Sequence, residues 1–267
     1  MTKPMNENNR DYYAETYDES VPDWPGEMAF YTKMAEEVRK KGESLLELAC
    51  GTGRVAIRLA RLGGRVVGLD HSEEMLAVAR HKSAGMDNVL WVKGDMRLFE
   101  LGEKFGLVLI PGQAFHNMNT PNDQVACMES IRRHLLPGGQ FVLHLDAPDM
   151  VWLGDLVRDK AGKFEPEKQI RHPRTGRRVN PFKAWKYEPS SQSALERTVW
   201  EELDEAGQVV NRIDDGEVRL HSIFPFEVEH LLGRTGFAVQ AVYGDFFRNP
   251  YGDNSSQMIW VANPAEG

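Results

Sequence analysis

Apolar runs of strand length alternate with helix-like segments between residues 45 and 146. The runs are apolar on both faces, which is typical of strands in a parallel sheet that helices cover on both sides. After the first run, Val55, Leu59 and Leu62 recur at helical spacing. The alternation predicts an α/β fold, and its strands are expected at 45–48, 65–70, 89–94, 105–111 and 140–146.

Helix starts are marked by capping residues. Ser72 precedes two glutamates, which are favourable in a first helical turn, and Thr120 precedes Pro121, a residue suited to the first helical position. We therefore expect helices to begin after Ser72 and Thr120, the second ending before Pro137.

After Asp146 the pattern changes to consecutive short strands, which favours an antiparallel sheet. Turns such as Asp204–Gly207 join these strands, and the α/β pattern resumes with a helix from Pro225 to Gly236. The strands are expected at 177–187, 194–203, 208–213 and 217–223, and then at 237–243 and 256–262. The expected organisation is a lid segment 1–30, a main domain of 31–146 with 225–267, and an inserted cap 147–224.

Composition excludes several classes of protein. No apolar run approaches the roughly 20 residues needed to cross a bilayer, and the N-terminus lacks the apolar core of a signal peptide. The chain has two cysteines and no cysteine or histidine cluster with zinc-like spacing. The net charge of −8 argues against a protein that tracks nucleic-acid phosphates. We expect a cytoplasmic chain with no membrane partner and no metal site; nucleic-acid binding is not favoured, and the oligomeric state stays open.

Acidic residues follow the predicted parallel strands. Glu47, Asp70, Asp95 and Asp146 lie where strands end, the edge at which open parallel sheets bind ligands. Gly51 and Gly53 allow close approach of a ligand, and a helix N-terminus follows them. Asp70 is placed to accept hydrogen bonds from ribose hydroxyls, so the sequence predicts a nucleoside ligand.

The stretch GTGRVA also matches the G-x-G-x-x-A fingerprint of dinucleotide-binding enzymes, so a nicotinamide-dependent oxidoreductase is one alternative. Glu47 argues against it. A carboxylate beside the glycine turn would repel a pyrophosphate and attract a cationic ligand.

The motif Glu47–Gly53 resembles the first motif of the class I S-adenosylmethionine-dependent methyltransferases, acid-x-G-x-G-x-G. Ala49 replaces the first glycine, a change that we expect to be small because alanine permits close packing. The resemblance extends to Asp70, to Gly94–Met96 and to HLLPGGQFVLHLD, and it covers residues 10–146 well and 225–262 by topology. It implies a Rossmann-like sheet of seven strands with a reversed last strand, methyl transfer as the activity, and S-adenosylmethionine as cosubstrate.

The resemblance also implies site residues. In small-molecule members a leading helix closes over the cofactor, which makes Tyr13 and Tyr17 candidate lid residues. The candidate catalytic residues are His116, Asp146 and Tyr17. The candidate cofactor contacts are Tyr13, Glu47, Ala49, Cys50, Gly51, Gly53, Asp70, His71, Met75, Gly94, Asp95, Met96, Pro111 and Gly112.

The basic run Arg171–Arg178 leaves a second alternative open, an RNA methyltransferase. Its Pro-Arg-Thr-Gly core favours a β-turn at a solvated hairpin tip instead. A non-catalytic nucleotide-binding module is a third alternative. His144 and Cys127 are expected in the core. The favoured reading is methyl transfer to the nitrogen or oxygen of a small molecule that the cap binds.

Overall fold

A computed structural model describes residues 7–158 and 160–265, with side chains from residue 10 onward. The chain forms two compact units. The first contains Asp23–Pro148 with Ile223 to the C-terminal end, and the second contains the chain up to Pro22 with Asp149–Ser222. No helix among the described residues has the length and apolar character needed to cross a membrane.

The described residues form helices and strands in the order that the sequence predicts for an α/β chain with an insertion. The helices are α1 Glu7–Ser20, α2 Glu27–Lys40, α3 Ala56–Ala60, α4 Glu73–Lys82, α5 Pro121–His134, α6 Met150–Arg158 and α7 Pro225–Arg234. The strands are β1 Leu45–Leu48, β2 Val66–Asp70, β3 Val89–Lys93, β4 Phe105–Ile110, β5 Leu135–Asp146, β6 Phe164–Pro166, β7 Ile170–Arg171, β8 Arg178–Glu188, β9 Ser193–Leu203, β10 Val209–His221, β11 Phe237–Tyr243 and β12 Gln257–Pro264.

The first unit is built on a seven-stranded sheet in the order β11-β12-β5-β4-β1-β2-β3. Strands β1 to β5 pair in parallel, and β12 runs antiparallel to both of its neighbours. The predicted seven-stranded sheet with one reversed strand is confirmed. The chain leaves β1 toward β2 and later returns to β4 on the other side, so the carboxyl ends of β1 and β4 border the crevice where such sheets bind ligands.

Every residue of β1, β2 and β4 is buried, because apolar clusters cover both faces of the sheet. Leu46 and Val108 belong to one cluster, and Leu45 and Leu107 belong to the other. This alternation is the period of two that a strand imposes on its side chains. The expectation of strands buried on both faces is confirmed for these three strands. It is wrong for β3, where Leu90 is exposed because the strand lies at the edge of the sheet.

The helix starts follow the predicted caps. Ser72 Oγ accepts a hydrogen bond from the Met75 amide at 3.2 Å, and Thr120 Oγ1 accepts one from the Asp123 amide at 3.1 Å. The fifth strand begins earlier than expected, at Leu135, because α5 passes into β5 without a loop and the pairing with β4 shifts register before Gln140.

The second unit contains an antiparallel sheet in the order β10-β9-β8-β6, with β7 paired to β8. The two strands expected at 208–213 and 217–223 form one strand, β10, which a register shift between Asp214 and Glu217 interrupts. The sequence pattern did not predict α6, although Asp149 Oδ1 accepts hydrogen bonds from the Val151 and Trp152 amides at 2.9 Å. That contact is a helix cap of the kind that local sequence can indicate.

The basic run 171–178 forms the predicted hairpin turn, closed by a hydrogen bond from the Gly176 amide to the His172 carbonyl at 2.8 Å. Arg174 Nε donates to Glu15 on α1 at 3.0 Å, so a carboxylate of the same unit neutralises part of the run. The Tyr12 ring of α1 packs edge-on against Trp200 of β9, with ring centroids 5.9 Å apart. The helix is thereby held on the antiparallel sheet.

Candidate functional site

The backbone leaves β1 through a turn that is left-handed at three positions. Ala49, Gly51 and Gly53 have φ values of +53°, +53° and +75°. The residues of the turn differ in burial: Ala49 and Gly51 are half-buried, whereas Cys50 and Gly53 are buried. One set of residues therefore faces outward and the other faces the protein interior.

Gly53 and Cys50, both candidate cofactor contacts, have packing roles in the structure. A Cβ atom on Gly53 would lie 2.6 Å from the Trp91 ring and 2.9 Å from Ile57 Cδ1. The Cys50 sulfur fills the space above Gly68, where a Cβ atom would approach it to 2.9 Å, and burial raises the pKa of its thiol. These positions let the turn pack on the sheet.

Gly51 has open surroundings. A Cβ atom on Gly51 would meet only the Met75 sulfur, at 4.0 Å. Ala49 is partly buried against the core and occupies the left-handed region, in which a residue with a Cβ atom costs about 1–2 kcal/mol. The sign of φ is therefore a constraint at this position in addition to close packing.

Asp70 fixes the turn to the end of β2. Its Oδ2 accepts a hydrogen bond from the Gly51 amide at 2.8 Å, and its Oδ1 accepts one from the Ser72 amide at 2.8 Å. The carboxylate is 5% exposed. The imidazole of His71, in contrast, is largely exposed, and its Nδ1 lies 3.4 Å from Asp70 Oδ1. The acid predicted for the ribose thus also holds the glycine turn in place.

Glu47 is buried beneath the same turn. Burial raises the pKa of its carboxyl group to about 8, although the Arg54 guanidinium and the Ala56 backbone amide favour the carboxylate. Its Oε2 has no hydrogen-bond partner among the described residues. A buried acceptor without a partner is costly, and a ligand ammonium group would satisfy it.

Arg54, which the sequence reasoning missed, connects the turn to α2. Its guanidinium forms two hydrogen bonds with the fully buried Glu27, at 2.6 and 2.8 Å, and one with Asp23 at 2.6 Å. It also lies 5.5 Å from the ring centroid of Trp24. The sequence holds only a weak sign of this role, an arginine inside the glycine motif, because its partners lie about 30 positions away.

The end of β3 carries Gly94, Asp95 and Met96. Both Asp95 oxygens accept hydrogen bonds from Arg97 side-chain nitrogens, at 2.5 to 3.0 Å, and these contacts lower the pKa of Asp95. The Arg97 amide also donates to Asp95 Oδ1, which makes Asp95 a turn former. Met96 is buried. A ligand at Asp95 would therefore compete with Arg97.

The loop after β4 approaches the end of β5. Pro111 is buried, whereas Gly112 and Gln113 have φ values of +64° and +65° and lead into a 3₁₀ turn, Ala114–Asn117. His116 on this turn is half-buried, and its Nε2 accepts a hydrogen bond from the Asp146 amide at 3.4 Å. The structure thus brings together the two candidate catalytic residues at this edge.

Two glutamines that the sequence reasoning missed surround Asp146. The amide groups of Gln113 and Gln257 donate to Asp146 Oδ1, the latter at 3.4 Å. Desolvation raises the pKa of the Asp146 carboxyl group to about 6, and the hydrogen bond from Gln257 opposes this rise. His144 lies beneath them in the core, as expected, and desolvation lowers the pKa of its imidazole to about 4.

Tyr13 and Tyr17 lie on α1, in the second unit, with ring centroids 5.7 Å apart in an edge-to-face arrangement. Their role as lid residues stays a prediction. Within the described ranges, no group of His, Cys, Asp or Glu side chains is arranged to hold a metal ion.

The open position at Gly51 and the packed position at Gly53 predict losses of different size for the same substitution. Gly53→Ala should lower the free energy of unfolding by roughly 2–4 kcal/mol, because the methyl group overlaps Trp91 and the backbone is left-handed. Gly51→Ala, the matched control, meets open space and should cost only about 1 kcal/mol. Urea denaturation followed by circular dichroism measures both values, and equal losses would contradict the two roles assigned to these glycines.

Comparison with known proteins finds methyltransferases that are similar to this chain. A family model described as "Methyltransferase domain" matches residues 45–139. A protein of Bacillus subtilis (strain 168), provisionally named as the methyltransferase YqeM, is 28% identical over 95% of this chain and 96% of its own. A dTDP-3-amino-3,6-dideoxy-alpha-D-glucopyranose N,N-dimethyltransferase of Streptomyces fradiae is 36% identical over 45% of this chain and 46% of its own length.

Among solved structures, the CcbJ methyltransferase from Streptomyces caelestis superposes with a TM-score of 0.78 and 26% identity. The match covers 97% of this chain and 98% of that one. The motif from Glu47 to Gly53, the strand-end acids, the sheet with one reversed strand and these similarities agree. Together they support a class I S-adenosylmethionine-dependent methyltransferase.

Proposed function

We propose that this methyltransferase acts on the amine nitrogen of a small polar acceptor of the amino-sugar type. The observation that carries the proposal is the set of contacts that Asp146 makes at the edge of the sheet. The His116 imidazole accepts a hydrogen bond from the Asp146 backbone amide, and the Asp146 carboxylate accepts hydrogen bonds from two side-chain amides. A carboxylate attracts an ammonium group, and an imidazole accepts a proton near neutral pH.

The residues at the end of β1 and β2 fit S-adenosylmethionine. Gly51 offers an open approach, Asp70 offers a carboxylate for the ribose hydroxyls, and the unpartnered oxygen of Glu47 suits the ligand's ammonium group. A pyrophosphate beside the Asp70 carboxylate would be repelled. S-Adenosylmethionine, when bound, supplies an electrophilic methyl group on a sulfonium centre.

The protein's own residues would position the acceptor amine and take up its proton. An amine acceptor arrives protonated at neutral pH and becomes nucleophilic only after it loses a proton. Asp146 would pair with the ammonium group and hold it at the sheet edge, and His116 would take the proton. His116 Nε2 has to give up its long hydrogen bond from the Asp146 amide to do so.

The sugar enzyme reported above is a nitrogen methyltransferase by name, and this supports nitrogen over oxygen as the acceptor atom. The nicotinamide and RNA alternatives receive no support from the relatives. The inserted sheet 147–224 as the acceptor-binding cap, the segment 1–30 as a lid and the cytoplasmic location stay predictions.

A paired acceptor assay tests the proposal. The protein is incubated with methyl-labelled S-adenosylmethionine and matched sugars that carry an amine or a hydroxyl at the same carbon. We expect label transfer to the amine and release of S-adenosylhomocysteine, because Asp146 selects a cation. Transfer to the hydroxyl sugars alone would refute the amine assignment.

Removal of the His116 imidazole should slow methyl transfer without weakening the binding of S-adenosylmethionine. His116→Ala should lower turnover of the accepted amine by roughly 10²–10⁴, since the acceptor loses its general base. The affinity for S-adenosylmethionine should stay within about twofold. His81→Ala, on an exposed part of α4, is the control. Near-normal turnover in His116→Ala would show that the acceptor binds already deprotonated.

Cofactor binding should release a proton from Glu47. Its raised pKa, about 8, keeps the carboxyl group mostly protonated at pH 7, and a neighbouring ammonium group favours the carboxylate. Binding therefore lowers the pKa and should release up to about one proton at pH 7, with less release as the pH rises above 8. Calorimetry in buffers of different ionisation enthalpy measures the release. Glu47→Gln should lose it, and an unchanged release in that variant would contradict the assignment.

A further inference from the structure

Gln257 is the first residue of β12 and lies directly opposite Asp146 in the antiparallel pair of β12 and β5. Its side-chain amide has two neighbours. The oxygen Oε1 contacts His144 Nε2, and the nitrogen Nε2 donates to Asp146 Oδ1 at 3.4 Å. One amide thus joins a buried imidazole to a carboxylate at the sheet edge.

His144 determines which way this amide points. The imidazole is fully buried, with the rings of Trp24 and Phe246 at centroid distances of 4.9 and 4.8 Å. Its Nδ1 has no hydrogen-bond partner in the part of the chain that the structure describes. The Asp146 carboxylate can only accept, so the NH₂ group of Gln257 faces it and the amide oxygen faces His144. Because that oxygen is also only an acceptor, the neutral ring carries its proton on Nε2 and holds the amide in this orientation.

A second amide reaches the same oxygen from the other side. Gln113 also donates to Asp146 Oδ1, and its backbone is left-handed, at φ +65°. A residue with a Cβ atom seldom adopts that region, and residues held there cluster at functional sites. Both side-chain amides donate to Oδ1 of Asp146, and neither donates to Oδ2. The two donors therefore both act on Oδ1 and restrict how the carboxylate can turn.

The charged groups around this network come from separate elements. His116 approaches from the 3₁₀ turn, and both His116 and the Arg54 guanidinium oppose protonation of His144. The Asp146 backbone amide contacts the His116 imidazole, and the Asp146 carboxylate contacts the two neutral amides. The amides stabilise a carboxylate without adding a positive charge that would compete with a cationic acceptor.

We propose that Gln257, with its amide oriented by His144, is a positioning residue that aims the Asp146 carboxylate at the ammonium group of the acceptor. The inference rests on the proposed function for the identity of that acceptor. It assigns no chemistry to Gln257 itself. Its role is to keep Asp146 ionised and in one orientation while the acceptor binds.

Direct titration of Asp146 tests the inference without an acceptor. The carboxyl carbon of Asp146 is followed by ¹³C NMR in the full chain and in Gln257→Leu. Loss of a donor to the carboxylate should raise the apparent pKa of Asp146 by roughly 1 unit. The matched control is Gln240→Leu, a solvent-exposed glutamine on β11 of the same sheet, which should leave the titration unchanged. An unmoved Asp146 titration in folded Gln257→Leu overturns the inference.

Steady-state kinetics then separates positioning from folding. Gln257→Leu should raise the KM for the amine roughly 10-fold to 100-fold and leave the dissociation constant of S-adenosylmethionine within about twofold, as expected when one charge-assisted contact is lost. An unchanged KM together with a shifted titration overturns the positioning role.

His144→Phe covers the case in which Gln257→Leu does not fold. It keeps an aromatic ring between Trp24 and Phe246 and removes the donor that orients Gln257. We expect a smaller titration shift in the same direction, and no shift overturns the inference. Failure of the proposed function has a different signature: wild-type protein that methylates hydroxyls only, with the Asp146 titration still dependent on Gln257.

Discussion

The left-handed turn that follows β1 is the constraint on which the rest of the site depends. The absence of a Cβ atom at Gly53 lets the turn lie against Trp91 and Ile57, and this contact seats α3 on the sheet. The same turn points the Gly51 amide at Asp70, which joins β1 to β2. Arg54 then joins the turn to α2 through the buried Glu27. Backbone geometry at a few residues therefore positions two strand ends and two helices.

The site divides its charges between two edges of one crevice. Glu47 and Asp70 lie at the ends of β1 and β2, where acids and an open glycine suit a cationic nucleoside. Asp146 and His116 lie at the ends of β5 and β4, where a carboxylate and an imidazole suit an amine and its proton. Both edges are acidic, so the site favours cationic ligands at each end. Holding the cofactor and the acceptor close together then contributes to the rate of methyl transfer.

Local patterns in the sequence predicted most of the strands and the caps at Ser72 and Thr120, and the family resemblance implied the reversed strand. They could not distinguish Gly51 from Gly53, because the direction in which each faces depends on the left-handed backbone of the folded turn. Nor could they predict contacts between distant residues. Arg54 with Glu27, and Gln257 with Asp146, meet only after the sheet has formed. The positive φ at Ala49 was also out of reach, since a motif records the residue type and not its backbone conformation.

The turn after β1 is expected to bind the cationic nucleoside S-adenosylmethionine and not a dinucleotide. Native mass spectrometry of the full chain with equal concentrations of S-adenosylmethionine and a nicotinamide dinucleotide distinguishes the two ligands. We expect a one-to-one adduct with S-adenosylmethionine that is greatly weakened in Asp70→Ala. A dinucleotide adduct, or an S-adenosylmethionine adduct unaffected by that substitution, is incompatible with this assignment of the turn.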